Sequence, residues 1–240
     1  MRYFSLILIF LLGLTIYSQE IVTTTNWVAG YVTLAGEDNV YTFTPPEMVH
    51  PPEYELKPGD IVKLQNAKLI IYAGYETMVK EIKGSLNIDA SKLLPITTGY
   101  DLKTIDESVL KIAKVLGKTS KAEENLALFH NEYREIKSRI IENGLDKKGV
   151  LVDFHMQSLA KEMGLNVIGV FGPGPLTPQQ LVEFKNTNPA FIIDNLHATK
   201  ATALQEILPQ AKYVVFMNFP GQNGTISLLD VVKYNMEQIK

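Results

Sequence analysis

The chain has 240 residues, 46% of them hydrophobic and 20% charged, with 23 Lys and Arg against 26 Asp and Glu and a formal net charge of −3. That composition belongs to a folded protein rather than a disordered one, and it offers no basic excess for a nucleic-acid backbone. Cysteine is absent. Disulfides, thiolate nucleophiles, iron–sulfur clusters and thiolate zinc sites are therefore excluded, and any metal must be held by His, carboxylate, amide or water.

Met1-Arg2 opens an apolar run from Tyr3 to Tyr17, followed by the small residue Ser18. A positive start, a short apolar stretch and a small residue match a secretory signal peptide over residues 1–18. The expected product is extracytoplasmic, cleaved after Ser18, with an uncleaved N-terminal membrane tether as the alternative. No second run reaches the roughly 20 apolar residues of a spanning helix.

Glu20-Ile21-Val22-Thr23-Thr24 reads as a short β-rich run, and Asn26 as the cap of a helix from Trp27 to about Gly36. Val40 to Phe43 alternates like a second strand. A proline-dense loop follows, and Gly59-Asp60 opens a helix through Leu64. Leu69-Ile70-Ile71-Tyr72 is a continuous apolar run, as in a strand buried on both faces. Thr77 to Ile82 suits a short helix. Alternating strand and helix predicts an α/β layer with a parallel sheet.

The middle changes period. Ser120 and Glu123 form a capping-box pattern, and Leu126, Phe129, Tyr133, Ile136 and Ile140 recur at steps of 3 and 4 up to Gly144. This predicts one helix of about 24 residues, near 36 Å long, suited to bridge two lobes. Alternation then resumes. Strands are expected at Gly149–Val152, Val167–Val170, Phe191–Ile193 and Val214–Phe216. Helices are expected near 156–163, from Thr177-Pro178, at 199–208 and at 227–238. The predicted organisation is thus a lobe over 19–118, a linking helix over 119–144 and a second lobe over 145–240. His130 reads as a structural residue at the edge of the long helix's apolar stripe.

In parallel α/β sheets, ligands bind beyond the carboxyl ends of the strands. The polar residues there are His50 and Glu53 after the second strand, Glu76 after the third, and His155 after Val150–Val152. Asp194, Asn195 and His197 follow Phe191–Ile193, and Asn218 follows Val214–Phe216. Three of the four histidines fall at strand ends, and His is the commonest metal ligand. Asp194 and Asn195 also suit a plain helix-capping role. The Gly172-Pro173-Gly174-Pro175 loop lacks the lysine and spacing of a phosphate loop. No nucleophile elbow or His-Glu-x-x-His helix is present, so no enzyme is predicted.

Several segments resemble the zinc/manganese-type substrate-binding proteins of ABC transporters. They are Thr23 to Ala29 with Gly36-Glu37-Asp38, Pro51-Pro52-Glu53-Tyr54-Glu55 with Pro58-Gly59-Asp60, Asn66 to Glu76, and Val152-Asp153-Phe154-His155 with Met163-Gly164-Leu165. The resemblance implies two α/β lobes joined by a rigid helix, with a divalent cation in the cleft between them. It also implies a monomer that delivers zinc or manganese to an ABC permease. Carried over by position, the first ligand falls on Pro52, with His50 two residues earlier. The second falls in Pro95–Asp101, which holds Tyr100 and Asp101 but no His. The third falls on His155, the acidic position after the next strand on Asp194, and the last on Asn218. His50, His155 and either Asp194 or His197, with Asn218, would make a mixed nitrogen and oxygen set suited to zinc or manganese. The competing reading is a relative with changed cargo, a small molecule or metal chelate, held by Trp27, Tyr75 and Tyr100 as walls.

Overall fold

The computed structural model describes residues 20–240, so the signal-peptide segment lies outside the described residues. The first half holds β1 (Ile21–Thr23), α1 (Asn26–Leu34), β2 (Val40–Thr42), α2 (Pro58–Asn66), β3 (Leu69–Tyr72), α3 (Met78–Gly84) and β4 (Leu93–Pro95). Then come α4 (Leu102–Leu116) and the long α5 (Thr119–Glu142). The second half holds β5 (Gly149–Asp153), α6 (Gln157–Met163), β6 (Asn166–Phe171), α7 (Pro178–Lys185), β7 (Phe191–Asn195), α8 (Thr202–Ile207), β8 (Lys212–Phe216) and α9 (Leu228–Gln238).

Two four-stranded sheets result, ordered β2-β1-β3-β4 and β6-β5-β7-β8. Every pairing is parallel. The same topology is therefore built twice without a repeated sequence. Parallel strands need crossover helices, which cover both faces and force both sides of each strand to be apolar. The alternation of side chains then sorts residues between two cores. Ile21, Leu69, Ile71, Val150, Val152, Phe191 and Ile193 face a central core shared by the lobes. Val22 and Ile70 face an outer core under α2 and α3, while Leu151 and Ile192 face another under α7 and α8.

The central core runs through the helices between the sheets. Its helical members include Val28 and Tyr31 of α1, Ile105 and Ile112 of α4, Leu159 of α6 and Val231 of α9. The stripe of α5 expected from its spacing is buried there at Leu126, Phe129, Tyr133, Ile136 and Ile140. Each such side chain stabilises the fold by about 1.5–3 kcal/mol of transfer energy. Polar contacts fasten α5 on both sides: His130 Nε2 lies 2.7 Å from Asp106 Oδ1 of α4, and Lys233 of α9 pairs with Glu132 at 2.9 Å.

Several expected boundaries move. Thr25, not Asn26, caps α1 by accepting from the Val28 N–H. The Ser120/Glu123 box does not form, because α5 already starts at Thr119 behind Lys118. Gly117, left-handed at φ 68°, turns the chain directly from α4 into α5. β7 runs two residues further than expected, so Asp194 and Asn195 pair with Val215 and Phe216. α8 is shorter than the pattern predicts, since Lys200 and Ala201 are tied to the Asp194 carboxylate before the helix begins.

Candidate binding site between the lobes

The carboxyl ends of both sheets meet where the lobes face each other. In the first lobe, α1 starts three residues after β1, which sets Trp27 in its first turn beside the strand ends. Tyr100 arrives from the loop after β4 and stacks on Trp27, with ring centroids 5.4 Å apart and planes 18° apart. The second lobe answers with the loop after β8. Phe219 presents its edge to Trp27 at 5.1 Å, and His197 packs edge-on against the same Phe219 at 5.0 Å. Besides the bond from the Leu102 N–H to Glu162 Oε2 at 3.2 Å, two hydrogen bonds cross between the lobes at the strand ends. The Tyr100 hydroxyl donates to the Asn218 carbonyl at 2.9 Å, and His197 Nδ1 lies 2.7 Å from the Val49 carbonyl.

The His197 contact settles its tautomer. A carbonyl only accepts, so Nδ1 carries the hydrogen, and in the neutral ring Nε2 keeps its lone pair. Nε2 is buried and has no partner. Burial of the ring holds the pKa of His197 below its usual 6.5, and nearby His50 adds to that, against the opposing pull of the Val49 carbonyl. A neutral imidazole fixed through one nitrogen, with the other bare, has the form of a pre-oriented metal ligand. Asn218 adds a second acceptor, since its buried Oδ1 is also unpartnered.

The other expected site residues divide. His50 is exposed on the loop just before the Pro51–Glu53 turn, within electrostatic reach of His197. His155 is exposed at the end of β5, its edge against Phe154 and its Nδ1 3.2 Å from Asp153 Oδ1. Asp194 is fully buried, and both its oxygens are taken up. They accept from the backbone N–H of Asn195, Lys200 and Ala201 and from the Tyr213 hydroxyl. These bonds fold the loop after β7, the capping role open to it in the sequence. Glu76 does the same after β3, accepting from the Thr24 hydroxyl and from the N–H of Ala73 and Gly74. Among the described residues, no three His, Asp or Glu side chains stand close enough to hold an ion together.

Sequence reasoning passed over Asp153. It is fully buried at the end of β5, its Oδ1 accepts from the His155 N–H, and its Oδ2 has no partner. Its place between a β-run and His155 was the available signal. Thr44, whose buried hydroxyl is also unpartnered, carried none.

No protein-family model and no curated protein sequence matches the chain. Solved structures do match its fold. A manganese-bound periplasmic metal-binding protein from Candidatus Liberibacter asiaticus superposes with a TM-score of 0.68 at 16% identity, over 92% of this chain and 98% of that one. A cadmium-bound form of that protein gives the same values. The laminin-binding protein Lbp of Streptococcus pyogenes gives 0.69 at 17% identity, with the same coverage. At these identities the likeness shows the fold: two parallel-sheet lobes with a long helix between them. All three structures are of binding proteins by name.

Proposed function

We propose that this chain is an extracytoplasmic solute-binding protein that takes a divalent cation, zinc or manganese, between its lobes and delivers it to an ABC permease. The observation that carries the reading is His197, buried and neutral, with Nδ1 bound to a carbonyl of the opposite lobe and Nε2 bare. Asn218 Oδ1 is the second donor. His50 and His155, both exposed, would have to move onto the ion together with water, giving a mixed nitrogen and oxygen set. Asp194 braces the loop that carries His197, and Asp153 orients His155 from behind. The periplasmic metal-binding proteins of the same fold support this cargo, and the apolar leader at residues 3–17 supports export.

The test is a melting experiment on residues 19–240 stripped with a chelator. Zinc or manganese at 100 times its dissociation constant adds about 2.7 kcal/mol, a rise of roughly 5–11 °C in a chain of this size. The rise should vanish in His197→Gln and shrink in His155→Ala. No rise with either ion, in a protein that still melts cooperatively, overturns the reading.

One observation favours a second cargo. Between the lobes Trp27, Tyr100 and Phe219 pack on one another, and such apolar rings suit a small organic molecule or a metal chelate once they part. That reading expects no response to free ions, and a ligand that survives purification and is released on denaturation.

A further inference from the structure

Beyond the shared core and the bond from the Leu102 N–H to Glu162, three contacts join the facing strand ends of the two lobes, and none of them uses cargo. The Tyr100 hydroxyl donates across to the Asn218 carbonyl, His197 Nδ1 donates across to the Val49 carbonyl, and Trp27 sandwiches itself between Tyr100 of its own lobe and Phe219 of the other. The first contact is anchored twice over. Tyr100 is buried, and its own carbonyl accepts from the hydroxyl of Tyr133, in the middle of α5. A hydrogen-bonded chain thus runs from the linking helix through Tyr100 to the end of β8.

The seam extends outward. Gly221, left-handed at φ 126°, brings the loop after β8 so near the loop after β2 that a Cβ there would stand 2.5 Å from the Pro46 carbonyl oxygen. We infer that these contacts form a lock that holds the lobes closed in the absence of cargo, with Tyr100 as its central positioning residue. Each cross-lobe contact is buried or partly buried, where a hydrogen bond resists opening more than at an open surface. The lobes therefore start closed, and cargo enters only when the lock opens. Cargo association is then gated by that opening, below the ordinary association rates of open sites. The lock rests on the geometry of these side chains and not on which cargo is carried.

The chain has no cysteine, so nitroxide labels can be placed cleanly at Lys80→Cys on α3 and Lys185→Cys on α7, both exposed on outer helices of opposite lobes. Double electron–electron resonance on the metal-free protein should give one narrow distance, unchanged by saturating zinc or manganese. Tyr100→Phe keeps the ring stack and removes the cross-lobe bond, and it should add a longer-distance population. Adding Trp27→Leu should enlarge that population. Circular dichroism melts would confirm that both variants fold. If the double variant fails to fold, the wild type and Tyr100→Phe decide the matter. Two results overturn the lock: a broad or long metal-free distance that shortens with the ion, or a Tyr100→Phe distribution identical to the wild type.

Discussion

The two lobes share one strand order and use it differently. In each, the loop after the third strand is pinned by a buried carboxylate: Glu76 gathers three donors in the first lobe, and Asp194 four in the second. The difference lies in what is left over. The first lobe faces the cleft with the aromatic pair Trp27 and Tyr100, and its one histidine before α4, His50, is exposed. The first lobe leaves the Trp27 indole N–H and the Thr44 hydroxyl buried and unpartnered, while the second leaves bare acceptors on His197, Asn218 and Asp153. One duplicated architecture therefore carries two chemistries, a stacked aromatic pair on one side and unpartnered buried acceptors on the other. A carboxylate at a strand end is not thereby a ligand; its neighbours decide whether its oxygens are free.

Breaking the two loop staples should separate the lobes most sharply. Asp194→Ala leaves three backbone N–H groups and a tyrosine hydroxyl without their acceptor. Removing one side of such a buried charged cluster costs about 4 kcal/mol, roughly 8–16 °C in Tm. Glu76→Ala should cost less, since one of its three donors is a Thr hydroxyl that can turn to another acceptor. Calorimetry on both variants checks the order, and equal losses would show that the two staples are equivalent.

The next effect tests the seam between the lobes. Gly221→Ala places a Cβ against the Pro46 backbone and forces a side chain into a left-handed conformation. The expected loss is about 2–3 kcal/mol. Gly174, a glycine of the second lobe with open space around it, is the control, and Gly174→Ala should be near neutral. A seam that tolerates Gly221→Ala without loss would mean that the two loops part easily.

A pH titration sharpens the contrast between the buried and exposed histidines. In the metal-free protein, burial lowers the pKa of His197 below 6.5. As pH falls through 6.5, the unfolded chain takes up this proton and the folded chain resists it. More protons bound in the unfolded state mean that stability falls with falling pH. The penalty is absent above about pH 6.5 and accumulates from there down to the depressed folded pKa. His197→Gln should flatten the wild-type stability profile below pH 6.5 and leave it parallel above pH 7.5. Urea midpoints at a series of pH values read this directly.

Much of the frame was legible because it follows from periods. The 3 and 4 steps of α5 and the apolar runs of β3, β5 and β7 need no long-range information. The helix α4 was equally legible and was not read. Asp101 caps it by accepting from the Thr104 N–H, Ile105, Val109 and Ile112 form its stripe, and Gly117 closes it. The fate of the polar residues was not legible. Nothing local distinguishes Asp194, saturated by a loop six residues on and a tyrosine of β8, from a free carboxylate. Nor does local sequence show that His197 would find a carbonyl 148 residues earlier. Such roles depend on which loops meet, and that is settled by the pairing of lobes. The substitution of Tyr100 where the resemblance expects His was visible in the sequence, but its bond to the Asn218 backbone was not.

The smallest expected effect concerns how α5 is fastened to each lobe. His130 ties it to α4 of the first lobe through Asp106, and Glu132 ties it to α9 of the second through Lys233. All four side chains are partly exposed, and ion pairs in such settings contribute about 0.2–1 kcal/mol, less in high salt. His130→Ala and Lys233→Ala should each lower Tm by roughly 1–3 °C, and the loss in Lys233→Ala should shrink in high salt. The apolar stripe holds α5 far more strongly: Phe129→Ala should cost about 3–5 kcal/mol. If a surface tie proved as costly as the stripe, α5 would be held to the lobes by charge rather than by burial. The lock between the lobes would then depend on ionic strength as well as on Tyr100.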